Sequence, residues 1–246
     1  MLGPRWPTAG VRIAVILTAM STPETAWEAL PKLRRIAAQR LEESARTVPV
    51  FTLDAGAWAG DLESFRRQLA DVIEQRAGTR LSVTHVLVAA VGRALAGHPD
   101  VNVNYEERDG VPGVVRLAGT SVGVAVATDR GLLVPAVRDV AARQLPDLVA
   151  EIERVVGQAR AGRVPSADMG GAALTVSNLG MLGVRRFHAV VNPPESCILA
   201  AGAVHGDPPE LALSLSCDHR ALDGVQAARF LADVVDLVER PYRLLL

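Results

Sequence analysis

Near its C-terminal end the chain changes its hydrophobic period. Leu213-Ser214-Leu215-Ser216-Cys217 alternates apolar with small residues. From Val225 to Glu239, Ala227, Ala228, Leu231, Val234, Val235 and Val238 recur at helical spacing. A strand turns alternate residues to one face and a helix every third or fourth, so the stretch is a strand, a turn and a helix. The turn is Asp218-His219-Arg220-Ala221-Leu222-Asp223-Gly224, which puts an Asp-His-Arg cluster at a strand end. Histidine is the side chain that titrates near neutrality unaided, so His219 is a candidate general base in a His-x-x-x-Asp-Gly pattern. A hydrogen-bonded histidine beside an Arg220–Asp223 ion pair remains the alternative.

The rest of the chain alternates the same two periods. Helices are predicted over 27–46 (with Leu30, Leu33, Ile36, Ala37 and Leu41 on one side), 61–77, 82–97 and 144–161. An Asp or Ser cap opens the second and third, and Gly162 stops the fourth. The helix over 82–97 is apolar almost all round and should be buried, with His85 as a core or cap histidine. Strands are predicted over 48–54, 101–106, 114–117, 121–128, 132–137, 170–176 and 196–203, with Asp109-Gly110 closing a hairpin. No repeat or linker divides this order, so one α/β domain is expected over 26–246 behind an N-terminal arm over 1–25. The terminal Leu244-Leu245-Leu246 is expected to pack on the chain itself or under a partner.

Composition narrows the function. A formal net charge of −1 and 4% aromatic residues give no basic surface or stacking platform for nucleic acid. Arg12 interrupts the apolar run over 11–17, which is too short for a membrane span, so no membrane partner is expected. Cys197 and Cys217 show no metal spacing, which points away from a metal site and towards a reducing cytoplasm. Cys217 reads as buried packing, with a nucleophilic role as the alternative. Arg34, Arg35, Arg40 and Arg46 read as a solvated face on which a phosphate could bind.

Taken together, several segments resemble one family, the catalytic domain of the dihydrolipoyl acyltransferases of 2-oxo acid dehydrogenase complexes. They are 30–41 (LPKLRRIAAQRL), 121–138 (SVGVAVATDRGLLVPAVR), 175–183 (TVSNLGMLG), 192–202 (NPPESCILAAG) and 214–224 (SLSCDHRALDG). The resemblance implies a two-layer α/β sandwich with a mixed sheet, the chloramphenicol acetyltransferase-like fold. It also implies a homotrimer, which can be the unit of a larger cage, with active sites between subunits. His219 then corresponds to the general base, and Ser177 to an oxyanion donor supplied by a neighbouring chain. Asp223 fixes the local loop, with Arg220 and Gly224 as structural companions. Arg34 is the candidate for a phosphate contact, and Asn178 for a further substrate contact.

The implied reaction moves an acyl group between a dihydrolipoyl thiol and coenzyme A as substrates, with no tightly bound cofactor. The chain carries no lipoyl-lysine motif, so the lipoyl group is expected in trans. Two other functions stay open: acyl transfer to or from a phosphopantetheine carrier protein, and a non-catalytic assembly core. An intact His219, Asp223 and Ser177 weigh against the last.

Overall fold

A computed structural model describes residues 26–246, and the arm expected over 1–25 lies outside the described residues. The chain runs α1 (Lys32–Thr47), β1 (Val50–Trp58), α2 (Gly60–Gln68), α3 (Ala70–Ala77) and α4 (Val83–Gly97). The hairpin β2 (Val103–Arg108) and β3 (Val111–Arg116) follows. Four short strands come next: β4 (Val122–Val124), β5 (Val126–Thr128), β6 (Gly131–Leu133) and β7 (Ala136–Val137). The last elements are α5 (Leu145–Arg160), β8 (Leu174–Asn178), β9 (Cys197–His205), β10 (Glu210–Asp218) and α6 (Gly224–Glu239).

Six strands form one sheet in the order β1-β10-β9-β8-β4-β7. β10 runs antiparallel to both of its neighbours, β1 and β9, while β9, β8 and β4 are parallel and β7 closes the far edge antiparallel, so the sheet is mixed. Cross-strand partners share a face. Leu53, Leu215, Leu199, Val176 and Val124 are in register and face the layer of α4, α5 and α6. Thr52, Ser216, Ile198, Thr175 and Gly123 are in register on the other face, where all but Thr52 are also buried. The expected two-layer α/β sandwich is what the chain forms.

Several expectations hold in detail. Ser82 caps α4, accepting from the His85 N–H at 3.2 Å while His85 Nδ1 accepts from the Ser82 N–H at 3.1 Å. The other ring nitrogen meets Glu153 at 2.9 Å, so His85 is a cap histidine whose pKa burial lowers. Asp109 and Gly110 both take positive φ, 52° and 76°, as a hairpin with the native twist requires. Cys217 is buried with its Sγ 3.7 Å from that of Cys197. Leu244 is buried on the chain's own core, whereas Leu246 is 96% exposed.

Other expectations need correction. The helix over 61–77 bends at Leu69, although hydrogen bonds run on through Leu69 N to Phe65 O and Ile73 N to Leu69 O. Asp61 is not its cap: Ala59 holds that position without a side-chain bond, and Asp61 sits in the first turn, where a carboxylate suits the helix dipole. Ala228 of α6 is exposed, and Phe230 is buried in the core. The first helix begins at Lys32 rather than residue 27, and its Ile36 and Leu41 are exposed. α1 is fastened at its far end, where buried Ser44 donates to the Val191 carbonyl at 2.6 Å.

Candidate active site

β10 ends because its last residue turns its own side chain on the chain that follows. The Asp218 carboxylate, almost fully buried, accepts from the Arg220 backbone N–H at 2.9 Å and from its guanidinium at 2.7 to 3.2 Å. The Asp218 carbonyl takes the N–H groups of Ala221 and Leu222, at 3.0 and 3.1 Å. This closes a tight turn with His219 at its tip. His219 is exposed, its N–H donates to Pro49 O at 2.9 Å, and its ring lies 4.6 Å from that of Phe51. The ionic partner of Arg220 is therefore Asp218, not Asp223. Proximity decides this: a residue two positions away closes a bidentate pair, whereas Asp223 is already spent on α6. Its Oδ1 accepts from Val225 N and Gln226 N at 2.8 and 2.9 Å, and the Gln226 side chain accepts from Asp223 N at 2.9 Å. That capping box starts α6 at Gly224.

Ser177 lies near the end of β8, half-buried, paired with Ala200, which pairs in turn with Ser214 and then Asp54. The four share the face turned away from α4, α5 and α6, with Ala200 and Ser214 buried. Asn178 faces the helices: its Nδ2 donates to Thr84 Oγ1 at 3.0 Å and its Oδ1 accepts from Gly180 N at 2.8 Å. Both ends of that amide are thus engaged by protein, which steadies the turn after Ser177. Glycine packs the turn close: a Cβ on Gly180 would strike the Gly202 carbonyl, and one on Gly202 the Arg185 carbonyl. Arg34 lies elsewhere, exposed beside Gly131 of the β5–β6 hairpin.

One chain does not bring His219 to Ser177. Ser214 is level with Ser177 across two strand spacings, and His219 is five residues further along β10. At about 3.3 Å per residue and about 4.8 Å per strand, the two α-carbons stand about 19 Å apart. His219 lies just past one end of the sheet, whereas Ser177, near the end of the short β8, is level with the middle of β10. A cavity of about 370 Å³ near Arg130 and Gly162 contains neither.

Three groups escaped the sequence reading. Asp54 accepts from Ser214 Oγ at 2.5 Å and from His188 Nε2 at 3.2 Å, with Arg186 at 3.6 Å, and the serine bond first of all holds its pKa below the usual range. Glu195, buried, accepts from Thr175 Oγ1 at 2.5 Å, and burial pushes its pKa up to about 7. The Arg220 guanidinium lies over the Tyr105 ring, its central carbon 4.0 Å from the ring centre. Nothing in sequence spacing tied any of the three to its partners.

Fold and site together define a class: a mixed-sheet α/β domain with a histidine turn at one end of its sheet and, well separated from it, a serine near the end of the short strand β8. The family model for 2-oxoacid dehydrogenases acyltransferase (catalytic domain) matches residues 22–246, and the chain belongs to that family. It is 34% identical over 224 residues to the dihydrolipoyllysine-residue acetyltransferase component of the acetoin cleaving system of Bacillus subtilis, covering 87% of this chain and 55% of that protein. Against the corresponding component of the pyruvate dehydrogenase complex of Rickettsia felis the identity is 32%, covering 87% and 53%. The chain thus spans about half the length of these relatives. Among solved structures, the dihydrolipoamide acetyltransferase of Azotobacter vinelandii, studied for the catalytic roles of a serine, a histidine and an asparagine, superposes with a TM-score of 0.83. It is 32% identical, with 98% of this chain and all of that one covered.

Proposed function

We propose that this chain is the catalytic unit of a dihydrolipoyl acyltransferase, exchanging an acyl group between a dihydrolipoyl thiol and coenzyme A. The observation that carries this reading is the separation of His219 from Ser177. Two groups about 19 Å apart cannot serve one reacting carbon, whereas the His219 turn of one copy can meet the Ser177 strand end of the next. The site is therefore shared between subunits of a homotrimer. The exposed apolar residues of α1, Ile36 and Leu41, suit a chain that associates with its own kind.

The chemistry follows from the two groups. An alkyl thiol is mostly protonated at neutral pH and only its thiolate attacks well, so His219 takes the thiol proton as sulfur closes on the thioester carbonyl. The carbonyl oxygen becomes an oxyanion, which the Ser177 hydroxyl stabilises by donating a hydrogen bond. Collapse breaks the bond to the other sulfur, and the leaving thiolate recovers the proton from the imidazolium. Asp218, Arg220 and Asp223 hold the histidine turn, and Asn178 holds the serine turn.

The relatives are named for a dihydrolipoyllysine residue, and these 246 residues contain a single lysine, Lys32, at the start of α1. The lipoyl thiol therefore comes from outside the acyltransferase domain. Lys32 belongs to the domain's own first helix and does not stand on a separate carrier.

The test is acetyl transfer from acetyl coenzyme A to dihydrolipoamide, with His219→Ala, Ser177→Ala and a co-expressed mixture of the two variants. The reading expects loss in each variant and partial recovery in the mixture, where some interfaces pair an intact His219 with an intact Ser177. A mixture no more active than its components sinks the shared site. Inactive wild type that instead accepts acyl groups from a phosphopantetheine carrier protein would replace the lipoyl thiol in the reading.

A further inference from the structure

The hairpin β2–β3 stands outside the main sheet as a two-stranded pair. An isolated pair of strands is marginal in water, so its anchors matter. At the base, Asn102 Nδ2 donates to the carbonyls of Leu117 and Gly119, at 3.2 and 3.0 Å. Asn104 bridges to Glu195, two residues ahead of β9. The next residue is Tyr105, and beyond it Glu106, Glu107 and Arg108 are exposed. Tyr105, half-buried between the buried base of β2 and its exposed tip, meets Arg220, which also lies within reach of the Glu107 charge.

Arginine can satisfy two partners at once because its hydrogen bonds lie in the guanidinium plane and its stacking surface lies across it. Here Asp218 accepts from the guanidinium N–H groups, and the central carbon lies over the Tyr105 ring, 4.0 Å from its centre. Asp218 and Arg220 flank His219 in sequence, so the pair that ties them closes the turn that presents the imidazole. Arg220 is about one quarter exposed, where an ion pair alone is weakened by water. A ring over the guanidinium shields one side of that pair and removes freedom from the arginine.

Resting on the acyltransferase reading, we propose that the β2–β3 hairpin is a strap on the active-site turn and that Tyr105 is a positioning residue for His219, acting through Arg220. It touches no substrate and supplies no proton. The stack biases the turn towards the geometry in which His219 faces the neighbouring chain's Ser177.

The experiment compares Tyr105→Leu and Tyr105→Phe with wild type in the full chain, by acyl-transfer kinetics and by hydrogen exchange of residues 218–223. The Leu variant should lose about three- to thirty-fold in kcat, the range a cation–π contact of this kind spans, with KM for coenzyme A unchanged. The amides of His219 and Leu222 should exchange faster in the same variant. The Phe variant keeps a ring and should match wild type in both respects. Wild-type values for either readout in the Leu variant overturn the proposal, and so does a loss shared equally by the Phe variant. If wild type transfers no acyl group and His219→Ala is equally inert, the acyltransferase reading falls, and exchange in the turn alone decides whether the strap exists.

Discussion

Replacing Glu195 by glutamine tests the buried carboxyl beneath the serine strand. Burial raises its pKa from 4.5 to about 7, against hydrogen bonds from Thr175 and Asn192 that lower it. Since the folded chain holds this proton more tightly than the unfolded one, the stabilisation is full below pH 4.5. It is lost as pH rises towards 7, where the folded state must ionise a buried group. At about 1.4 kcal/mol for each pKa unit, the span from 4.5 to about 7 is worth about 3 kcal/mol. The amide introduced by Glu195→Gln keeps a carbonyl oxygen for Thr175 and has nothing to ionise. Urea unfolding at pH 5 and pH 8 should find the variant close to wild type at the lower pH. At the higher pH it should be more stable by up to about 3 kcal/mol. Parallel pH profiles of the two proteins would refute the reasoning, because groups elsewhere in the chain cancel in the difference.

Three other outcomes are expected. Ser177→Ala should lower kcat by about 10²–10³ with little change in KM, since the hydroxyl acts on charge that develops only in the transition state, and steady-state kinetics will show the split. Gly202→Ala places a methyl against the Arg185 carbonyl, so thermal unfolding should register a loss of at least about 1–3 kcal/mol, with activity falling as the turn after Ser177 shifts. Asp223→Ala removes the cap of α6 at a cost of about 1 kcal/mol in denaturant unfolding, and Asp223→Asn should recover most of it.

What could be read from sequence divides along a physical line. Helices and strands of the core were legible because burial imposes a period, as in α4, α5 and β10. The strand-turn-helix that carries His219 was legible too, since a switch of period marks its ends. Contacts set by the fold were not. Arg220 reads equally well against Asp218 or Asp223 until the turn is closed, and Asp54 meets His188 across 134 positions. Asn178 sits beside Ser177 in sequence and points to the opposite face of the sheet, as strand alternation requires. The apolar stripe of α1 was visible, yet periodicity says only that a face seeks cover and not from which chain. The bend at Leu69 left no mark, since the hydrogen bonds that cross it are helical.

The distance between Ser177 and His219 makes activity a property of association, which can be examined apart from folding. Each chain buries its own core around α4, β8 and β10, so the secondary structure of a separated chain should persist. Its chemistry should not, because a lone chain holds its base and its oxyanion donor about 19 Å apart. Diluting the protein through its dissociation range should lower specific activity in step with the loss of trimer by light scattering, while far-ultraviolet circular dichroism stays constant. The His219→Ala background should show no such dependence, since it has no base to bring to the interface. A dissociated chain that keeps full specific activity would place both groups within reach of one substrate in a single copy. The strand register argues against that: four residues of β10, 215–218, lie between Ser214 and His219, and no side chain spans that length.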